Sequence, residues 1–146
     1  MDYEALYKSK LTTAAKAAEV VKSGDWVDYG WTATTPVAFD QEMAKRITGL
    51  HDVKFRGGIL MWVPEIFKVE SPAEHFTWNS WHMGGIERKA VAQGFSFYAP
   101  IRYSELPRYY RDMPEPVDVA VMQVAPMDKQ DRKSTRLNSS HSQISY

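Results

Sequence analysis

The sequence contains no cysteine. This absence excludes disulfides, cysteine-ligated metal sites and a thiol nucleophile. It also favours the cytoplasm over an oxidising compartment, where small domains often carry disulfides. Nineteen aromatic residues (five Trp, eight Tyr and six Phe) supply instead what a hydrophobic core needs.

Net charge and long apolar runs are absent too. Eighteen basic and 18 acidic residues balance to a formal charge of zero, so no general attraction to nucleic acid or to an anionic membrane is expected. No apolar run approaches the length that crosses a bilayer. The first residues show no basic stretch followed by an apolar one, so no signal peptide is expected.

Several chemical signatures are also missing. The chain has no glycine-rich dinucleotide fingerprint, no phosphate-binding P-loop and no nucleophile elbow. Glu74, His75 and His82 could be imagined as metal ligands, with the two histidines two turns apart on one helix. A third close ligand is lacking, so no metal is expected and the histidines are read as surface or packing residues.

The stretch from 25 to 62 is read as strand, turn, helix and strand, which is a βαβ unit. Gly30 ends the first strand, and Thr34 or Thr35 is expected to cap the helix that begins near Pro36. Such a turn lies at the carboxyl end of a parallel strand, where open α/β sheets place ligands. A capped helix start with no ligand is the alternative.

The rest of the chain alternates in the same way, with Ser71-Pro72 as a helix start and Trp78 and Trp81 as core residues of that helix. The fold class predicted is α/β, a mostly parallel sheet with helices on both faces. A break near Thr12-Thr13 and a short added strand over 66–69 are expected as well. Strands are predicted near 26–29, 53–60, 95–98 and 117–124, and helices over 3–22, 37–48, 72–82, 86–93 and 104–111.

Residues 131–146 differ from the rest, with five serines and little apolar periodicity. One interpretation is a solvated basic tail. The string also resembles a translated sequencing adaptor, so the native frame is expected to be cut near Gln130, leaving domain 1–130 and a non-native, disordered tail at 131–146. The tail should pack against nothing and be removable without loss of stability, because it lacks the apolar area that offsets ordering costs.

Five segments follow one another in a characteristic order: Gly30–Pro36, Trp81–Ala90, Gly94–Pro100, Tyr103–Pro107 and Val117–Asp128. Together they resemble the N-terminal domain of the acetyl-CoA hydrolase/transferase family, and within it the butyryl-CoA:acetate and 4-hydroxybutyrate CoA-transferase groups. The resemblance covers about residues 1–130.

The resemblance implies one half of a two-domain CoA-transferase, with the active site between two similar α/β domains. CoA would pass from an acyl-CoA such as butyryl-CoA to a carboxylate such as acetate, through a glutamyl-CoA intermediate. The family's glutamate, glycine-rich CoA loop and oxyanion-hole glycine belong to the second domain. No catalytic residue is therefore expected here, nor any bound cofactor, and the fragment alone is expected to be inactive. A homo-oligomer of the full-length protein is left open.

The N-terminal domain would contribute the other wall of the cleft, which holds the acyl group and the incoming carboxylate. Two alternatives stay open: a stand-alone small-ligand-binding α/β module, and an interaction domain that uses its aromatic surface. By position at strand ends, the predicted substrate-binding residues are Gly30, Trp31, Thr34, Met61, Trp62, His82, Met83, Gly84, Gly85, Gln123 and Ala125.

Overall fold

A computed structural model describes residues 3–112 and 116–125. Within these residues five strands form one all-parallel sheet in the order β4-β3-β2-β1-β5. The predicted tail at 131–146 lies outside the described residues. The strands are β1 (Trp26–Tyr29), β2 (Val53–Gly57), β3 (Phe76–Ser80), β4 (Ser96–Tyr98) and β5 (Val119–Val121).

Helices connect the strands, as the predicted α/β class requires. The break expected in the first helix is confirmed, because Thr13 stands between two helices and its hydroxyl accepts from Lys16 N at 3.2 Å. The α-helices are α1 (Tyr3–Lys10), α2 (Ala14–Ala18), α3 (Val37–Arg46), α4 (Pro72–His75), α5 (Gly85–Ala92) and α6 (Leu106–Asp112). Short 3₁₀ turns cover Thr32–Thr34, Ile47–Gly49, Glu65–Lys68 and Tyr103–Glu105.

The helix predicted over 72–82 is wrong beyond its first turn. Helix α4 ends at His75, and the next five residues form β3. Their side chains alternate between buried and half-buried, which is the period of a strand. The short strand expected over 66–69 is also wrong, since Glu65–Lys68 forms a 3₁₀ turn.

One face of the sheet carries the main hydrophobic core. Phe55 lies beside Val27 on β1 and Trp78 on β3, so their side chains share this face. The rings of Tyr29 and Phe39 meet edge to face with centroids 5.9 Å apart, which packs α3 onto β1. Such aromatic pairs favour edge-to-face contact over a face-to-face sandwich. This core holds the strand ends of the sheet in fixed positions.

The opposite face holds a buried arginine. The Arg56 guanidinium carbon lies 4.3 Å from the Trp26 ring centroid and 5.6 Å from that of Trp81. Helix α6 covers Arg56 and Trp81, because Tyr109 packs against Trp81 with ring centroids 4.8 Å apart. Tyr110 donates its hydroxyl to an oxygen of Asp28. Helices therefore lie on both faces, as predicted.

All five strands run in the same direction, so their carboxyl ends meet at one edge of the sheet. The loops that follow β3, β2, β1 and β5 lie side by side there, in the order of the strands. Open parallel sheets bind ligands at this edge. No helix in the described part of the chain is long and apolar enough to span a membrane.

Candidate functional site at the carboxyl ends of the strands

The loop after β1 turns sharply at Gly30. Its N–H donates to Val121 O at 2.9 Å, which continues the pairing of β1 with β5. A Cβ at this position would lie 2.4 Å from both the carbonyl oxygen and the hydroxyl oxygen of Thr34. Only glycine therefore allows the loop to close so tightly.

The predicted cap of α3 is wrong. The Thr34 hydroxyl donates to Trp31 O at 2.7 Å, and the Thr35 hydroxyl donates to the carbonyls of Gly30 and Thr32. Helix α3 begins at Val37 with no side-chain cap. The physical reason is the 3₁₀ turn at Thr32–Thr34, which brings loop carbonyls within reach of both hydroxyls and so directs them away from the helix amides.

The loop after β5 is attached to the same turn. Gln123 N donates to Thr34 O at 2.8 Å. Strand β5 ends at Val121, so Gln123 and Ala125 lie beyond it rather than closing it as predicted. Trp31, Thr34 and Gln123 are thus brought together in one hydrogen-bonded unit.

The loop after β2 presents apolar side chains to solvent. Met61 is 59% exposed, Ile59 and Val63 are also exposed, and Trp62 is half-buried. Ile59 has a φ of 51°, which is rare for a β-branched residue. Backbone strain of this kind costs about 1–3 kcal/mol and persists only where the surroundings hold it.

The loops after β1, β2 and β3 approach closely at Gly58. A Cβ on Gly58 would lie 3.3 Å from His82 N and 3.7 Å from a ring carbon of Trp31. The Ser80 hydroxyl donates to His82 O at 2.8 Å, which shapes the turn from β3 into α5. Of the predicted residues, Trp31 and the backbone at His82 therefore face each other across the β2 loop.

The histidines do not share a helix face as the sequence reading assumed. His75 ends α4 before β3, and His82 follows β3, so the strand separates them. His75 contacts Leu50 O at 3.2 Å through its Nδ1 atom. Within the described residues no three histidine, aspartate or glutamate side chains form a metal-ligand group.

Glu87 is a site residue that sequence reasoning missed. It is fully buried, and its carboxylate accepts from Leu60 N at 2.8 Å and from Gly84 N at 3.0 Å. A glutamate three residues after an N-cap is a recognised helix-start pattern, so the Gly84 contact had a sequence signal. The Leu60 contact had none, because it joins the loop after β2 to a helix residue 27 positions away.

Asp40 is a second buried carboxylate near this edge. It accepts from the Tyr29 hydroxyl at 3.3 Å and from Glu65 N at 2.6 Å. Burial raises the pKa of Asp40 to about 6, although these hydrogen bonds act to lower it. Burial, followed by the nearby Asp40 charge, also raises the pKa of Tyr29. The pair ties β1 to α3 and to the 3₁₀ turn after the β2 loop.

A separate groove of about 480 Å³ lies at the opposite edge of the sheet. Phe95 and residues 71–74 line it, and they precede β4 and β3 rather than follow them. The groove is therefore remote from the strand ends that carry the predicted residues.

The edge formed by the carboxyl ends is suited to holding a small, partly apolar ligand. It combines exposed apolar side chains with glycines that allow close approach of the backbone. Glu87 cannot attack a substrate, because it is buried and both of its oxygens accept backbone hydrogen bonds. The geometry thus favours binding and orientation over bond chemistry.

Comparison with known proteins agrees with this geometry. A family model described as the acetyl-CoA hydrolase/transferase N-terminal domain matches residues 1–139. Butyryl-CoA:acetate CoA-transferase of Anaerostipes caccae is 61% identical over 129 residues, which cover 88% of this chain and 29% of that protein. 4-Hydroxybutyrate coenzyme A transferase of Clostridium kluyveri is 31% identical over 129 residues, covering 88% of this chain and 30% of that protein.

The fold is shared with a solved structure. The crystal structure of RipA from Yersinia pestis has a TM-score of 0.80 and 23% identity, and covers 92% of this chain and 33% of that one. The chain spans less than a third of the length of the two curated relatives. From the family match and these identities, the chain belongs to the acetyl-CoA hydrolase/transferase family and corresponds to its N-terminal domain.

Proposed function

We propose that this chain forms one wall of the active site of a CoA-transferase that moves CoA from butyryl-CoA or a similar acyl-CoA to acetate. The observation that carries the proposal is its 61% identity with a butyryl-CoA:acetate CoA-transferase. The other wall, with the glutamate that forms the glutamyl-CoA intermediate, would come from a C-terminal domain absent from this chain.

The role of this wall is to hold the acyl group and the incoming carboxylate. Exposed Met61 and half-buried Trp31 and Trp62 supply apolar surface. Once a second domain covers them, they would also exclude water, which would otherwise hydrolyse a reactive acyl intermediate. The proposed contact residues remain Gly30, Trp31, Thr34, Met61, Trp62, His82, Met83, Gly84, Gly85, Gln123 and Ala125.

The buried carboxylates of this chain support assigning substrate positioning to it and covalent chemistry to the second domain. Nucleophilic catalysis needs a carboxylate that can reach the thioester carbon. At this edge Glu87 and Asp40 are buried, and each accepts backbone hydrogen bonds. Neither is free to form a thioester with CoA. The proposal therefore assigns positioning to this chain and covalent chemistry to its partner domain.

A CoA-exchange assay tests the proposal. The full-length protein means the native protein in which residues 1–130 continue into a second α/β domain. With butyryl-CoA and acetate, it should produce acetyl-CoA and butyrate, while the 146-residue chain should produce neither. A full-length protein that binds small carboxylates without exchanging CoA would instead support a binding module.

A further inference from the structure

Glu87 joins two loops of the proposed substrate wall. Its Oε1 accepts from Leu60 N in the loop after β2, and its Oε2 accepts from Gly84 N in the loop after β3. The two amides lie 24 residues apart along the chain. One side chain therefore sets the spacing between the Met61-Trp62 loop and the glycine turn.

Burying the Glu87 carboxylate costs free energy of desolvation unless hydrogen bonds offset it. The side chain is fully buried, and the described residues show no ion pair to it. A buried carboxylate is tolerated only when hydrogen bonds replace its lost hydration. The two backbone amides are those hydrogen bonds, so the charge and the loop geometry depend on each other.

The contact also lies next to strained backbone. Leu60 directly follows Ile59, whose φ is 51°. Strain at a β-branched residue persists when neighbouring contacts leave the chain no alternative. A charge-assisted hydrogen bond at the next amide is such a contact.

Gly84 is adapted to the same bridge. A Cβ on Gly84 would lie 2.6 Å from Oε2 of Glu87. Any larger residue would push the carboxylate away from the amide that it accepts from. Glycine at 84 and glutamate at 87 thus form one matched unit.

We propose that Glu87 is a positioning residue whose carboxylate holds the loops after β2 and β3 in one arrangement, and so sets the fit of the acyl group. This inference rests on the proposed function for its link to substrate, but the bridge itself does not. Loss of the bridge should release Ile59 from its strained conformation and let Met61 and Trp62 move. The acyl donor would then bind less tightly, with a smaller effect on the chemical step.

The first test uses the 146-residue chain and needs no catalysis. In Glu87→Gln one oxygen becomes an NH₂ group, which cannot accept from an amide. The remaining oxygen can accept from one amide only, so hydrogen exchange at Leu60 N or at Gly84 N should become roughly ten- to a hundredfold faster, as expected for the loss of a charge-assisted hydrogen bond. Glu70→Gln is the control, because Glu70 is exposed and the part of the chain that the structure describes shows no hydrogen bond or ion pair to it. Unchanged exchange at both amides in Glu87→Gln would overturn the proposal.

Glu87→Asp separates charge from reach. It keeps the carboxylate but shortens the side chain by one methylene, so it cannot span both amides. It should resemble Glu87→Gln in exchange, and it provides the test if Glu87→Gln does not fold. Wild-type exchange in Glu87→Asp would show that charge alone matters, which contradicts a bridging role.

The second test uses the full-length protein. The KM for butyryl-CoA should rise about tenfold in Glu87→Gln, with kcat changed less, since uniform binding is lost. Faster amide hydrogen exchange combined with an unchanged KM for butyryl-CoA would overturn the link between the bridge and the acyl group. A wild-type protein that does not transfer CoA would refute the proposed function. The hydrogen-exchange data on Leu60 N and Gly84 N would still decide whether Glu87 bridges the two loops.

Discussion

Gly30 shows how a single residue determines the shape of the site. The space for its missing side chain is filled by Thr34, whose carbonyl also accepts from Gln123 N. The positions of two other proposed contact residues, Thr34 and Gln123, therefore depend on this glycine. The sequence could predict this glycine, because a turn after a strand commonly needs one.

Substituting Gly30 should disrupt the loop strongly. In Gly30→Ala the new Cβ would meet backbone at 2.4 Å, and overpacking of this kind costs about 1–3 kcal/mol. Gly49→Ala is a matched control, since nothing lies within 4 Å of its Cβ position. Chemical denaturation should show a loss only for Gly30→Ala. Equal stability of the two variants would contradict the described loop.

Asp40 should give the protein a distinctive pH dependence. Its pKa is raised in the folded state from 3.8 to about 6, so its protonated form favours folding. That contribution is fully present below pH 3.8 and is lost as the pH rises through about 6. The shift corresponds to roughly 3 kcal/mol. Wild type should gain most of this, about 2 kcal/mol, relative to Asp40→Asn between pH 7 and pH 4, as measured by urea denaturation. Parallel stability curves would show that the carboxyl is not buried.

Glu87 and Asp40 were not identified as site residues from the sequence for a shared reason. Each accepts from an amide about 25 residues away, at Leu60 and Glu65 respectively. Such contacts exist only after the sheet has formed, and no local pattern records them. The sequence therefore predicted the glycines and exposed apolar residues of the loops as contact residues. It did not predict the two carboxylates that hold these loops in place.

Strand β3 shows the same limit for secondary structure. Ser71-Pro72 correctly predicted a helix start, but the helix stops after four residues. From Phe76 onward the pattern of apolar and polar residues has a period of two, and aromatic and β-branched residues favour a strand. The N-terminal helix signal outweighed this alternation in the prediction. Pairing with β2 decides the outcome in the fold.

One hydroxyl should stabilise helix α6 on the sheet in addition to its ring contacts with Trp81. Tyr110 donates to Asp28, whose pKa is raised by burial and lowered in turn by Tyr110 and Arg56. Tyr110→Phe should leave that carboxylate without its donor and cost roughly 1–2 kcal/mol. Amide exchange in α6 should then accelerate.

Tyr109→Phe is the control for that measurement. Tyr109 packs its ring on Trp81, and no hydroxyl contact is found for it among the described residues. Its loss of a hydroxyl should leave α6 exchange unchanged. If the two phenylalanine variants behaved alike, the contact with Asp28 would not be what holds the helix.

The fold as a unit was predictable from the alternation of strands and helices. That alternation favours a parallel sheet, and a parallel sheet places its carboxyl ends at one edge. The arrangement also explains why the edge is open. Met61 is exposed in a chain that spans less than a third of its curated relatives, which supports the proposal that a second domain covers this edge.

We propose that this chain positions substrate and does not form the covalent intermediate. Intact-protein mass measurement after incubation with butyryl-CoA tests it directly. The 146-residue chain should show no mass change. The full-length protein should gain the mass of CoA less one water, because a glutamyl-CoA thioester forms and butyrate leaves. A CoA adduct on the 146-residue chain would place the nucleophile within it and contradict the account.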